Sequence, residues 1–341
     1  CSNLTSIDFS NLYTANTNNL SYMFYGCSSL VKLDLSSWKM NNPASMLVGL
    51  DSLQELILGA DCSLTGTGFD NAYNWSSDMT TVYSAGALIT SFDNDPGIMA
   101  ATYYAVYTVS FNSNGGGGTM TDVLVKVTDA ATYTLPACGF TAPTGKGFSA
   151  WDLGVVGASV ALSGDTTLQA QWSTLAFTIR FEDWDGTELS SASYEYGTLE
   201  SAITRPTDPT RAADAQYTYT FDTWMPAVTA VTGDATYTAN YTAVLRSYTI
   251  TWSVDGTDTD ETYDYGDTPA YSGDMSWETP EYTKSISGWS PTIADVTGDA
   301  TYTANITTVY KSYNVTYAYT GSVPTGAGDL PTGGTYDYGT T

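Results

Sequence analysis

The ten residues VTGDATYTAN stand at Val231–Asn240 and recur unchanged at Val296–Asn305. Internal repetition constrains architecture before any single motif does. After the Gly-Asp pair, Tyr237, Ala239 and Tyr241 alternate with Thr236, Thr238 and Asn240; in the second copy Tyr302, Ala304 and Ile306 keep the same places. An earlier, divergent copy has Leu168, Ala170 and Trp172 there. An apolar residue at every second position is the period of a half-buried strand. The string is therefore read as the last strand of a small β module, with its Ala leaving room beneath the module's tryptophan. The identity of the two copies points to duplication rather than to a binding motif.

The rest of the module recurs around that strand. Alternating starts lie at Tyr107 (YTVSFNSNGG), Phe177 (FTIRFEDWDGT), Tyr248 (YTITWSVDGT) and Tyr313 (YNVTYAYTG). Asp185-Gly186 and Asp255-Gly256 supply hairpin turns, because both residue types tolerate positive φ. Tyr-Gly corners follow at Tyr196-Gly197, Tyr265-Gly266 and Tyr338-Gly339, then tryptophans at Trp151, Trp224 and Trp289, then Gly-Asp at Gly164, Gly233 and Gly298. The connections TAVLRS (242–247) and TTVYKS (307–312) hold neither Gly nor Pro, so a restricted angle between neighbours and a semi-extended rod are expected.

A different repeat fills the first sixty residues. CSNLTSIDFS at Cys1–Ser10 returns as CSSLVKLDLS at Cys27–Ser36 and as LDSLQELILG at Leu50–Gly59. Met23, Phe24, Cys27, Leu30, Leu33 and Leu35 align with Met46, Leu47, Leu50, Leu53, Leu56 and Leu58 at a constant shift of 23 residues. Leu20, Met23, Phe24 and Cys27 have helical spacing; Leu30, Leu33 and Leu35 read as a turn entering a short strand. A 20–29-residue period with L-x-x-L-x-L is the leucine-rich pattern, in which each unit buries its leucines only against the next. Cys1 and Cys27 sit where Leu50 sits, so packed, reduced thiols are expected. A Cys1–Cys27 bridge and a lipidated Cys1 are the alternatives.

Composition narrows the function. The 341 residues carry 36 acidic and 10 basic side chains and no histidine, a formal net charge of −26. That charge repels nucleic-acid backbones and anionic lipid, and it favours a monomer. No apolar run reaches the length of a membrane helix. Without histidine, Ser-His and Cys-His nucleophile pairs are excluded and the commonest metal ligand is missing. Gly115–Gly118 (GGGG) follows a strand and lacks the helix and Lys-Thr of a phosphate loop. DGTDTDE (Asp255–Glu261) and DND (Asp93–Asp95) supply calcium-type oxygens without EF-hand spacing, and are read as solvated turns. Isopeptide chemistry at Lys146, Lys284 or Lys311 is not expected from their loop-like contexts. The 27 tyrosines fall mostly on the apolar phase of strands, which predicts core packing rather than sugar stacking.

Met23–Ser36 resembles the M-F-x-x-C-x-x-L-x-x-L-D-L-S pattern of the BspA-like bacterial surface-protein leucine-rich repeats. Trp75–Tyr104 resembles the segment that ends such blocks. From Tyr107 the chain resembles the Listeria–Bacteroides repeat, through Tyr107–Gly116, Gly147–Trp151 and Gly164–Trp172; the later modules lack the Gly-Gly and close with Tyr241 or Ile306. The resemblance implies a β-strand-lined solenoid and β-grasp-like modules serving as spacer or stalk, in a secreted, surface-exposed bacterial protein as in internalin-type proteins.

The expected architecture is mostly β and multi-domain. Residues 1–60 hold leucine-rich repeats, 61–104 a cap or connector, 105–174, 175–244 and 245–309 three β modules, and 310–341 the start of a fourth, cut short and poorly ordered for want of its later strands. The expected function is a non-enzymatic, adhesin-like cell-surface protein, with glycan binding by the modules or a purely structural stalk as alternatives. No catalytic, cofactor-binding or metal-binding residue is assigned, no cofactor is expected, and the ligand-binding residues are unknown. The expected partner is a host or matrix protein or a glycan, with no nucleic acid and no membrane insertion by this stretch. Anchor and export signal are expected outside it.

Overall fold

A computed structural model describes residues 1–9, 12–94 and 99–340. The chain is mostly β, arranged in several sheets. It divides into two compact units: Cys1–Phe177 with Tyr194–Thr198 and Val231–Gly233, and the remaining residues from Thr178 to Thr341.

In the first unit, β1 (Lys32–Leu35) and β2 (Glu55–Leu58) pair in parallel, Leu33 opposite Leu56 and Leu35 opposite Leu58. The 23-residue shift seen in the sequence is thus the strand register itself. Leu30, Leu33, Leu35, Met46, Leu47, Leu50, Leu53 and Leu56 are all fully buried. The helical spacing around Leu20–Cys27 produces turns, not a helix. Positive φ at Tyr22 (63°) and Gly26 (67°) breaks the helical run. Alternate amides then turn to the next repeat: Tyr22 N–H to Ala44 O, Phe24 N–H to Met46 O and Gly26 N–H to Val48 O. Met23, grouped with the core in the sequence, is 43% exposed, whereas its counterpart Met46 is buried. Cys27 and Cys62 are buried and all four cysteines are free, so the Cys1–Cys27 bridge is not formed. Burial pushes the Cys62 thiol up to about 11.

Next come β3 (Asn74–Ser76) and the helix α1 (Ala85–Asn94). The turn expected at Asp93–Gly97 lies largely outside the described residues. Then β4 (Thr102–Asn112) runs unbroken through position 104/105, where a connector was expected to give way to a module. Its first half pairs with β2 and β3; its second half pairs with β5 (Val123–Lys126) and, in parallel, with β9 (Thr166–Thr174). A two-stranded sheet joins β6 (Tyr133–Thr134) and β8 (Ser159–Val160), and β7 (Lys146–Trp151) closes the larger sheet against β9.

The same order returns twice. β10 (Ala176–Glu182), β11 (Glu188–Glu195), β12 (Tyr217–Met225) and β13 (Ala235–Leu245) form a sheet β11-β10-β13-β12. β14 (Ser247–Val254), β15 (Thr257–Asp264), β16 (Ser276–Glu278), β17 (Tyr282–Ser290) and β18 (Ala300–Tyr310) form β15-β14-β18-β17-β16. A hairpin of β19 (Ser312–Val315) and β20 (Gly334–Asp337) follows. In each full copy the first and last strands are parallel neighbours at the centre. Among the described residues, the crossovers between second and third strands carry no α-helix, only 3-10 turns at Val127–Thr132 and Glu200–Ala202 and the short strands β6 and β16.

The repeated letters can now be given work. The module tryptophan faces the alanine of the last strand each time: Trp151 opposite Ala170, Trp224 opposite Ala239, Trp289 opposite Ala304. A bulge sits two or three residues before each tryptophan, increasing the local twist. The Asp of each Gly-Asp pair caps the first strand: Asp165, Asp234 and Asp299 Oδ1 accept from Thr108, Thr178 and Thr249 N–H at 2.7, 2.7 and 2.9 Å. The Val that opens VTGD takes the Tyr-Gly corner, Gly197 N–H to Val231 O and Gly266 N–H to Val296 O. Tyr237 and Tyr302 are buried beside Phe181 and Trp252.

Departures from the repeat also pair up. A Cβ at Gly116 would stand 2.6 Å from the Trp172 ring, so Gly-Gly and the closing Trp belong together. The later modules lose both, and Tyr241 there donates to Asp183 Oδ1 instead.

The expected six-residue linkers are strand. Only Leu175, Arg246 and Lys311 separate the last strand of one sheet from the first of the next. Each of the three makes the same two backbone bonds. Arg246 N–H donates to Gln216 O and Tyr265 N–H donates to Arg246 O; Lys311 does likewise with Glu281 and Tyr338, and Leu175 with Gly145 and Tyr196. Tyr248 and Tyr313 add a hydroxyl bond each, to Ala215 O and Pro280 O.

Candidate functional site

Among the described residues no group of three or more His, Cys, Asp or Glu is placed to hold a metal ion. Strand alternation explains the calcium-like run: Asp258 and Asp260 face one side of β15 and Glu261 the other. Asp260 accepts from Thr251 Oγ1, while Glu261 accepts from Ser272, Tyr263 and the buried Trp252 Nε1. These bonds, that from Ser272 foremost, hold the Glu261 carboxyl below its usual range. Asp93 takes Leu64 N–H and the Thr65 hydroxyl, and Asp95 lies outside the described residues. In the glycine run, Gly115 and Gly118 have φ of 89° and 84°, and Gly117 pairs with Thr141; it is a turn. Lys284 and Lys311 are ion-paired at the surface with Asp255 and Glu278.

Tyrosine placement departs from expectation. Only Tyr103, Tyr237 and Tyr302 are buried among the described residues. Modules of this size have little interior, and most strand-phase tyrosines are half-buried rather than inside. Exposed rings meet at Tyr313 and Tyr338, 6.4 Å apart, and on two surfaces earlier in the chain. On the repeat stack, Tyr22 and Tyr25 are 62% and 54% exposed with rings 5.6 Å apart, and Met23 stands between them.

The second surface lies on the β10–β11 hairpin. Trp184 is 50% exposed at the turn Asp183–Gly186, where a hairpin tip offers no core. The Arg211 guanidinium lies 4.1 Å from its ring centroid and 3.7 Å from that of Tyr219. Tyr219 OH donates to Asp214 Oδ2 at 2.6 Å, which holds the Asp214 carboxyl low and raises the phenol. Burial and the Asp183 carboxylate push nearby Tyr241 up to about 12. The Arg211 guanidinium thus covers a face of each ring, with the Asp214 and Asp183 carboxylates beside them, a surface that offers charge and hydrogen bonds. The sequence reading named none of these residues. The signal was present in FEDWDGT, where a tryptophan occupies the turn of a predicted hairpin.

No family model matches the chain. It is 27% identical over 167 residues to the "Putative Gly-rich membrane protein" of Evansella cellulosilytica, a match covering 44% of this chain and 18% of that protein. It is also similar to the solved Streptococcal High Identity Repeats in Tandem (SHIRT) domains 3-4 from a cell surface protein, at 18% identity and a TM-score of 0.24, over 40% of this chain and the whole of that one. A score that low carries no argument about fold or function. No described helix is long and apolar enough to cross a membrane.

Proposed function

We propose that this chain is part of a non-enzymatic, adhesin-like bacterial cell-surface protein. Its leucine-rich end presents the recognition surface and its β modules, in the β-grasp-like strand order, serve as a stalk. One observation carries the reading: what recurs from module to module is spent on internal structure. Trp over Ala, Asp on the first strand, Val on the Tyr-Gly corner and the two-bond joint are all engaged in contacts within and between modules. Repetition spent on internal contacts suits a spacer built from stacked units. Tyr22, Met23 and Tyr25 supply an exposed aromatic surface on the stack. The Evansella relative carries the name of a membrane protein, which fits a cell-surface location.

The test is binding of the whole chain to a panel of host matrix proteins, beside the double variant Tyr22→Ser, Tyr25→Ser. Tyr22 and Tyr25 are exposed, so the double variant is expected to fold and to lose binding. Binding that survives both changes removes the recognition surface from the stack.

A further inference from the structure

Residues that break the module plan, rather than those that recur, are where one module departs from its siblings. The sheet of β14–β18 has such a departure: a fifth strand, β16, paired to β17 with Trp277 opposite Lys284. Trp277 is only partly buried and stands outside that module's core of Ile250, Trp252, Val296 and Tyr302. Beside it opens a cleft of about 380 Å³ lined by Val254, Asp255, Thr257, Tyr271, Asp274 and Trp277.

The cleft walls are fixed by bonds the other modules lack. Lys284 Nζ holds both Asp255 oxygens, at 3.0 and 2.8 Å, tying the β14–β15 turn to β17, and lies 6.0 Å from the Trp277 ring centroid. The 271–275 loop is held by Ser272 Oγ on Glu261 and by Ile286 N–H on Met275 O. Gly273 admits the Tyr271 ring, whose hydroxyl would stand 2.4 Å from a Cβ there. Tyr271 in turn leans on Trp252 and Trp289, with ring centroids 5.5 and 5.0 Å away. Asp274 is exposed, and no hydrogen bond or ion pair engages it among the described residues.

We propose that this cleft binds a neutral glycan. An indole plane beside a phenol matches the C–H face of a pyranose ring, and Asp255, Asp274, Thr257 and the Tyr271 hydroxyl match its hydroxyls. Two carboxylates against one lysine leave the cleft negative on a chain of net charge −26, which disfavours uronates, sialosides and phosphates. The site stands apart from the recognition surface assigned to the stack, and neither depends on the other.

The experiment is saturation-transfer difference NMR and calorimetry on the full chain with cellohexaose, maltohexaose and mannohexaose, and with hexagalacturonate as the anionic counterpart. At least one neutral hexasaccharide is expected to bind through its ring protons, and hexagalacturonate not to bind. Trp277→Ala is expected to weaken binding about tenfold or more. Asp274→Asn, at an exposed residue with no structural partner, is expected to weaken it with the melting profile unchanged. Leu199→Ala, at an exposed residue of another module outside both candidate surfaces, is expected to leave it intact. Absence of binding by all three neutral sugars, equal binding of hexagalacturonate, or wild-type affinity in both Trp277→Ala and Asp274→Asn overturns the proposal.

Discussion

Ala239 shows how much a single methyl group decides. It is 5% exposed and sits opposite Trp224 in the β12–β13 register. Ala239→Leu has nowhere to place its added carbons and is expected to destabilise by about 1–3 kcal/mol, read from urea denaturation. Glu261 sets a pH dependence in the same spirit. Its carboxyl is held below the usual 4.5 by hydrogen bonds from Ser272, Tyr263 and Trp252. A lowered folded value stabilises above pH 4.5, and the gain is lost as pH falls through the folded value. The denaturation midpoint of wild type is therefore expected to exceed that of Glu261→Gln at pH 6, with the gap closing in acid. A gap that stays constant down to pH 3 contradicts this account.

At the scale of elements, the leucine ladder and the module strands behave differently. The ladder was legible because Leu30, Leu33 and Leu35 and their counterparts Leu53, Leu56 and Leu58 are all buried, so pattern and register coincide: Leu33 opposite Leu56. Leu56→Ala, at a fully buried position, is expected to cost about 2–5 kcal/mol and to lower the melting temperature of the repeat stack. The turn at 21–26 was misread as helix because Leu20, Phe24 and Cys27 do return to one side. Its alternate amides, however, go to the neighbouring repeat, and those between them to the residue three back rather than four. Module strands were legible through their alternation and through Gly-Asp and Tyr-Gly punctuation. Their linkers were not, since TAVLRS lacks Gly and Pro because it is strand. The exposed Trp184 and the Trp277 cleft were also missed: alternation predicts which phase a ring occupies, not whether anything covers that phase.

At the scale of the whole molecule, single-residue joints replace linkers. Arg246 donates its N–H to Gln216 O and accepts from Tyr265 N–H, while Tyr248 OH reaches Ala215 O. These bonds join the β10–β13 sheet to the β14–β18 sheet. Arg246→Pro removes the donor. NMR relaxation is expected to show the flanking sheets tumbling together in wild type and more independently in the variant. Equal correlation times in the variant sink the view that the joint is what couples them.

The sequence by itself determined the repeats, their periods, the strand character of the modules, the buried leucine ladder and the absence of histidine-based chemistry. Those properties are local or periodic, and they follow from side-chain pattern and backbone preference. Only the tertiary structure decided which Trp faces which Ala, where β4 passes without a break, what the Gly-Asp carboxylates cap, and which aromatic rings stay uncovered. Those depend on contacts between residues some fifty apart, such as Thr249 and Asp299, which no spacing rule records.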